Sequence, residues 1–235
     1  MTQRDTSTPP AILSVPRTKA DARRFYDRIS RFYGWMTGAF ERKHGERALG
    51  ILSIRDGETF LEIGTGSGHC FRQAARLVGD RGSCCGVDIS NGMLKATADK
   101  LHRSGLAIRA GLYCADATNL PFRDNSFDTI LMAFTLELFD TPEIPKVVQE
   151  TMRVLKPGGR IAVVGLSKDG GASTAVRLYE WAHRKWPRYA DCRPIYVERS
   201  LAGRGYAVVE KRKASMAGLP VETILAVKPN PTALH

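Results

Sequence analysis

The sequence predicts an α/β fold: a seven-stranded, mostly parallel sheet with helices on both faces, an antiparallel last strand and an N-terminal helical lid. Three observations predict it. From residue 58 to residue 166, apolar strand-like runs alternate with helical patterns through short connections, the pattern of a parallel sheet covered on both sides. The first run, Phe60-Leu61-Glu62-Ile63, ends in glycines at alternate positions, Gly64, Gly66 and Gly68, and a helical pattern follows at once. Near the C-terminus two further runs flank Ala217-Gly218-Leu219-Pro220, a hairpin signal that sets the last strand against the others.

The elements follow in order. Residues 1–17 read as a disordered lead-in, rich in Thr, Ser and Pro and without the apolar stretch of a secretory signal. Residues 18–57 read as the helical lid. There Phe25, Ile29, Phe32, Tyr33, Met36 and Phe40 recur at three- and four-residue spacing, and Gly34 and Gly38 are expected to divide the stretch. Residues 58–228 form the main domain. Its strands are expected at 58–63, 83–88, 110–115, 127–133 and 160–166, then at Tyr206–Lys211 and Val221–Val227. Its helices are expected at 67–79, 91–104, 141–155, 171–186 and 195–203. Pro157-Gly158-Gly159 reads as a turn before the fifth strand. Residues 168–204, with Leu178, Tyr179, Trp181, Ala182 and Trp186, read as a second lid piece inserted into the domain.

Composition bounds the function classes. A chain of 235 residues holds one sizeable core. No apolar run reaches the roughly 18 residues of a spanning helix. Five cysteines without a CxxC pair argue against a disulfide framework and against a zinc site, and suit a reducing, cytoplasmic setting. No metal ligand set is expected. The net charge of +11 is unevenly placed. Residues 1–57 carry 11 Lys/Arg against 6 Asp/Glu and residues 177–213 carry 10 against 4, while residues 58–176 carry 13 of each. The surplus lies in these two flanking segments, where basic residues interleave with Trp, Tyr and Phe. Such helices can lie against an anionic membrane face, each basic residue adding on the order of 1 kcal/mol. The plainer reading is a solvated basic face.

In an open parallel sheet the ligand lies across the carboxyl ends of the strands, and the candidate residues fall there. Glu62 ends the first strand beneath the glycine loop, where it can orient that loop or meet a cationic ligand group. Asp88 ends the second, where a carboxylate can accept both hydroxyls of a ribose. Asp116 ends the third, where one can accept from an exocyclic adenine amine. Ala133–Glu137 follow the fourth. A ribose, an adenine and a cationic group without phosphate describe S-adenosylmethionine.

These residues resemble the class I S-adenosylmethionine-dependent methyltransferases, which have a Rossmann-like sheet. The resemblance rests on Leu-Glu-Ile-Gly-Thr-Gly-Ser-Gly (61–68), Val-Asp-Ile-Ser (87–90), Ala-Asp-Ala-Thr-Asn-Leu-Pro-Phe (115–122), Ser-Phe-Asp (126–128) and Val-Leu-Lys-Pro-Gly-Gly-Arg (154–160). Within the class it is similar to the ubiquinone/menaquinone-biosynthesis C-methyltransferases and to bacterial phosphatidylethanolamine N-methyltransferases. The resemblance implies that Glu62, Gly64, Thr65, Gly66, Gly68, Asp88, Ile89, Asp116, Ala117 and Ala133 hold the cofactor. Tyr26, Tyr33, Glu137, Tyr179 and His183 are candidate acceptor contacts. No catalytic residue is named, since no His/Asp pair announces a base.

The acceptor expected is a small or lipid-like molecule, of quinone-precursor or phospholipid-headgroup type. Two other classes stay in view. An RNA methyltransferase or RNA-binding module would use the basic flanks, yet no RNA-recognition motif is visible. A nicotinamide oxidoreductase would share the fold, but Gly64-x-Gly66-x-Gly68 is not GxGxxG and Asp116 would be left unexplained. Oligomeric state is not readable from the sequence.

Overall fold

The computed structural model describes residues 12–15, 17–36, 40–169, 176, 179, 181, 185, 192–216 and 218–230. Two N-terminal helices, α1 (Lys19–Met36) and α2 (Phe40–Leu52), precede the sheet. Then come β1 (Thr59–Ile63), α3 (His69–Leu77), β2 (Ser83–Asp88), α4 (Asn91–Arg103), β3 (Ala110–Cys114), β4 (Phe127–Ala133), α5 (Ile144–Val154) and β5 (Leu155–Leu166). A short helix α6 (Val197–Ala202), β6 (Ala207–Met216) and β7 (Leu219–Val227) complete the fold.

The sheet order is β3-β2-β1-β4-β5-β7-β6. β7 runs antiparallel to both β5 and β6, so it alone opposes the other six. The chain order reverses between β1 and β4, and that switch point opens a crevice above the strand ends. Side-chain alternation divides the core in two. Leu61, Ile63, Ile130, Met132, Ile161 and Val163 face α5 and α6, while Phe60, Leu131, Ala162 and Val164 face α2 and α3.

Helix spacing shows why these segments fold as they do. On α5, Ile144, Val147, Val148, Thr151 and Val154 form one buried stripe, with a proline in the first turn where no N–H is needed. α4 starts at Ser90, whose hydroxyl accepts from Met93 N at 3.1 Å.

Two expectations are corrected. Gly34 does not break the first helix, which runs to Met36; one glycine costs a helix only about 1 kcal/mol. Pro157-Gly158-Gly159 does not precede the fifth strand but lies inside it. Leu155 pairs with Phe127 and Arg160 with Thr129, so residues 156–159 bulge out of a strand whose direction is unchanged. Gly158 takes φ +73, which the bulge requires. The expected helix 171–186 and most of the inserted lid piece lie outside the described residues, as does the lead-in before residue 12.

Candidate functional site

The bend after β1 is the frame of the site. Gly64, Gly66 and Gly68 take φ of +78, +48 and +74, conformations that side-chain-bearing residues rarely adopt. Gly64 N donates to Val87 O at 2.7 Å, tying the bend to β2. From α4, Thr97 Oγ1 donates to Gly66 O at 3.1 Å and Lys100 Nζ to Ser67 O at 2.5 Å. The loop is thereby fixed before any ligand arrives.

Beside it lies a cavity of about 210 Å³. Glu62, Gly64, Thr65, Gly66, Asp88, Ile89, Asp116, Ala117, Ala133 and Tyr26 all line it, so one hollow gathers ten of the sequence-derived residues. Gly68 is not among the lining residues. It forms the left-handed cap of α3, and a Cβ there would fall 2.6 Å from Thr97 Oγ1.

The three acids sit in different electrostatic surroundings. Glu62 is buried, its carboxyl pushed well above the usual range by burial and then by the charge of Asp88. Among the described residues its Oε2 has no hydrogen-bond partner, and neither has Thr65 Oγ1. A buried carboxylate oxygen with nothing to accept from is costly, and this one belongs to a residue of the cavity wall. Asp88 accepts from Gly66 N at 3.0 Å and Ser90 N at 2.9 Å. Burial outweighs those bonds and moves its pKa up to about 6. Asp116 is more open. Burial raises it, but the bonds from Lys19 and Thr118 prevail and hold it below the usual carboxylate value.

The remaining expectations fall elsewhere. Glu137 is fully buried and accepts from Leu166 N at 3.2 Å. It stands behind the wall formed by Phe134, Thr135, Leu138 and Phe139 instead of lining the cavity, because the chain makes a 3₁₀ turn at Leu136–Leu138. Tyr179 packs against the apolar cluster on the α2 side of the sheet and does not line the cavity. His183 and the Tyr33 side chain lie outside the described residues.

Other residues here carried no sequence signal. Lys19, Arg42 and Lys100 bring positive charge into the wall. Phe134, with φ +51, presents a strained backbone to the cavity and meets the His44 ring edge-on at 6.0 Å. Behind Phe139, the fully buried Arg193 donates to that residue's carbonyl, while its Nε and Nη1 have no partner among the described residues. Among the described residues, no three His, Cys, Asp or Glu side chains are grouped to hold a metal ion, and no helix is long and apolar enough to cross a membrane.

Comparison with known proteins agrees with this geometry. Residues 60–159 match the family described as a methyltransferase domain. The ubiquinone/menaquinone biosynthesis C-methyltransferase of Pseudomonas paraeruginosa is 37% identical over 149 residues, 63% of this chain and 57% of that protein. Its counterpart in Pseudomonas aeruginosa is 37% identical over 133 residues, 57% of this chain and 51% of that one. The chain thus spans little more than half the length of these curated relatives. Among solved structures, the cyclase SpnF aligns over 94% of this chain and 99% of its own, with a TM-score of 0.73 and 18% identity. A SAM-dependent methyltransferase from Aquifex aeolicus aligns over 86% and 98%, with a TM-score of 0.63 and 22% identity. At such identities the two structures speak for the fold alone.

Proposed function

We propose that this chain, similar over residues 60–159 to methyltransferase domains, transfers a methyl group from S-adenosylmethionine to a small or lipid-like acceptor. The observation that carries the reading is the convergence of Glu62, Asp88 and Asp116 with the glycine bend on one cavity. The cofactor would fit the residues present. Glu62 Oε2 lacks a partner and suits an ammonium. Asp88 would accept from the ribose hydroxyls, and Asp116 with Ala117 would hold the adenine. Arg42 and Lys100, at the glycine-bend end of the wall, would meet the carboxylate. Gly64 and Gly66 let the main chain approach without a Cβ between.

When bound, the cofactor supplies a methyl group on a sulfonium, an excellent leaving group. The protein's part is alignment and exclusion of water, and proximity can supply much of the barrier reduction. Tyr26, Phe134, Leu138 and Phe139 give the cavity apolar lining, suited to a flat or lipid-like acceptor of quinone-precursor or phospholipid-headgroup type. Exposed Arg23, Arg24 and Arg28 on α1, beside half-buried Phe25 and Ile29, support reversible contact with an anionic membrane face. Five cysteines without a CxxC pair support a reducing, cytoplasmic setting.

The test has two stages. Calorimetry with S-adenosylmethionine, S-adenosylhomocysteine and NAD should show binding of the first two alone; binding of NAD alone would overturn the reading. Labelled-methyl transfer into a lipid extract, against total RNA, should label the extract. Cosedimentation with anionic vesicles checks the membrane contact.

A further inference from the structure

Cations from three helices meet at one corner of the cavity without a counter-ion. Arg42 of α2, His69 of α3 and Lys100 of α4 lie in the wall beside the glycine bend. Arg72 follows His69 by three residues and Arg103 follows Lys100 by three, so each stands one turn further along the same helix face. α3 and α4 pack against each other, and the two rows carry positive charge from the wall toward solvent. Residues 58–176 hold 13 basic and 13 acidic residues, yet the fold gathers Arg72, Lys100 and Arg103 here. The acids nearby do not neutralise them. Glu46 Oε1 lies 2.7 Å from His69 Nε2 and accepts from Gln73 Nε2 at 3.0 Å, and Glu41 shares the wall. Among the described residues no carboxylate is within ion-pair distance of Arg42, Arg72, Lys100 or Arg103. Arg72 Nε is buried with no hydrogen-bond partner among them. Lys100 Nζ donates to Ser67 O at 2.5 Å, which leaves two of its three protons unused. Burial lowers the Lys100 pKa, and the charges of Arg42, Arg72 and Arg103 lower it further. Like charges held this close repel each other, and a bound anion relieves them.

We infer that Arg42, Arg72, Lys100 and Arg103 form a phosphate subsite at the rim of the cavity, which takes a phosphate group of the methyl acceptor beside the carboxylate of the cofactor. The inference deepens the methyl-donor reading and rests on it, since that reading brings one carboxylate to this corner. A carboxylate has a single charge, and Arg42 and Lys100 suffice for it. Arg72 and Arg103 are not among the cavity-lining residues and keep no counter-ion. A phosphate monoester carries close to two charges, about −1.5 to −2, and three strong acceptor oxygens. Guanidinium forks meet such a group with paired N–H donors, and an ammonium adds a point charge. Lys100 belongs to the wall and to the outer row at once, so a molecule whose phosphate sits here can reach into the cavity. A soluble phosphate ester and the phosphate of a lipid headgroup share this chemistry.

The test titrates the full chain, saturated with S-adenosylhomocysteine, with inorganic phosphate and with diphosphate in a calorimeter at fixed ionic strength. Both should bind saturably. Arg72→Gln/Arg103→Gln should weaken both by about tenfold and move the S-adenosylhomocysteine dissociation constant less than about twofold. Arg123→Gln/Lys146→Gln removes the same charge from exposed positions on the loop before β4 and on α5, and should bind as the parent does. Equal weakening in that control would reduce the effect to general attraction and overturn the subsite. Phosphate binding that S-adenosylhomocysteine abolishes would give all four cations to the cofactor and overturn it too. Flotation with phosphatidylcholine vesicles, with and without phosphatidic acid, separates the two sources. Retention on phosphatidic acid that the Arg72/Arg103 variant loses assigns the phosphate to a lipid; diphosphate binding without retention assigns it to a soluble ester. Binding of single-stranded RNA in preference to every other probe would overturn the acceptor assignment. A parent chain that binds no S-adenosylhomocysteine sinks the methyl-donor reading instead, and phosphate titration of the ligand-free chain then decides the subsite separately.

Discussion

Gly64 and Thr135 leave no room for a methyl group between them: a Cβ on Gly64 would lie 2.2 Å from Thr135 Oγ1 and 2.6 Å from its Cγ2. The glycine bend after β1 and the loop after β4 therefore close on each other at the point where the cavity begins. Gly64→Ala must both adopt φ +78 and push Thr135 away. We expect a loss of about 1–3 kcal/mol, read as a melting temperature lower by about 3–10 °C for a chain of this size. Cofactor affinity should fall further than stability alone explains. The double variant Gly64→Ala/Thr135→Ala should recover part of the stability, since the clash goes and the backbone strain stays.

Asp88 gives the proposed binding a pH dependence with a definite sign. Its pKa is moved up to about 6, chiefly by burial, and only the ionised form accepts two ribose hydroxyls. Affinity for S-adenosylhomocysteine should therefore weaken as pH falls through about 6, by up to about tenfold per unit below it. The ligand-free chain should respond in the opposite sense. Between the unfolded value near 3.8 and the folded value near 6, the native state binds more protons, so this group's contribution to stability falls as pH rises through that window. Calorimetric titrations between pH 5 and 8 check the first expectation. In Asp88→Asn the binding profile should flatten.

The fold and the meeting of the three acids at one cavity were legible because a parallel sheet puts its strand ends in one row. Once β1, β2 and β3 are assigned, Glu62, Asp88 and Asp116 must share an edge, whatever the rest of the chain does. Lys19 was not legible: on an amphipathic helix a charged residue looks solvated until its partner, 97 residues away for Lys19 and Asp116, is known. Glu137 lies off the cavity lining for a related reason. Sequence placed it after β4 but could not show that a 3₁₀ turn would rotate it behind the wall. Arg193 lies in a segment with no periodic pattern, and its burial comes wholly from tertiary packing.

Arg193 makes its own prediction. Burial pulls its pKa down, and the nearby Asp140 and Glu137 charges pull it up. Among the described residues its side chain bonds only the Phe139 carbonyl, on the cavity wall. Arg193→Met removes the cation that both carboxylates face and releases that carbonyl, and should cost about 3–5 kcal/mol in urea unfolding. Adding Glu137→Gln should return more than half of it, because an apolar and amide pair needs no charge balance. Equal loss in the single and double variants would mean that packing, and not charge, holds Arg193 in place.

A half-buried charge on the edge strand β6 should behave differently with pH. Lys211 Nζ lies 2.8 Å from Asp169 Oδ2, 2.5 Å from Glu198 Oε2 and 3.3 Å from Glu222 Oε2, joining β6, α6, β7 and the chain just after β5. Burial lowers the lysine's pKa, but the bonds to Asp169 and Glu198 and the charge of Glu222 outweigh it, so it stays protonated. Glu222, fully buried, is raised by burial in spite of the lysine. Lys211→Met should cost about 2 kcal/mol at pH 7, less than a fully dry pair because the lysine keeps some contact with water. On acidification Glu222 can take a proton in the lysine's stead, so the gap between variant and parent should narrow toward pH 5. It should narrow also at strongly alkaline pH, as the parent loses the lysine's contribution on passing through its raised value. Urea titrations at pH 5, 7 and 9 measure the gap, and a cost that does not change between pH 5 and 7 would show that Lys211 acts there through its aliphatic stem.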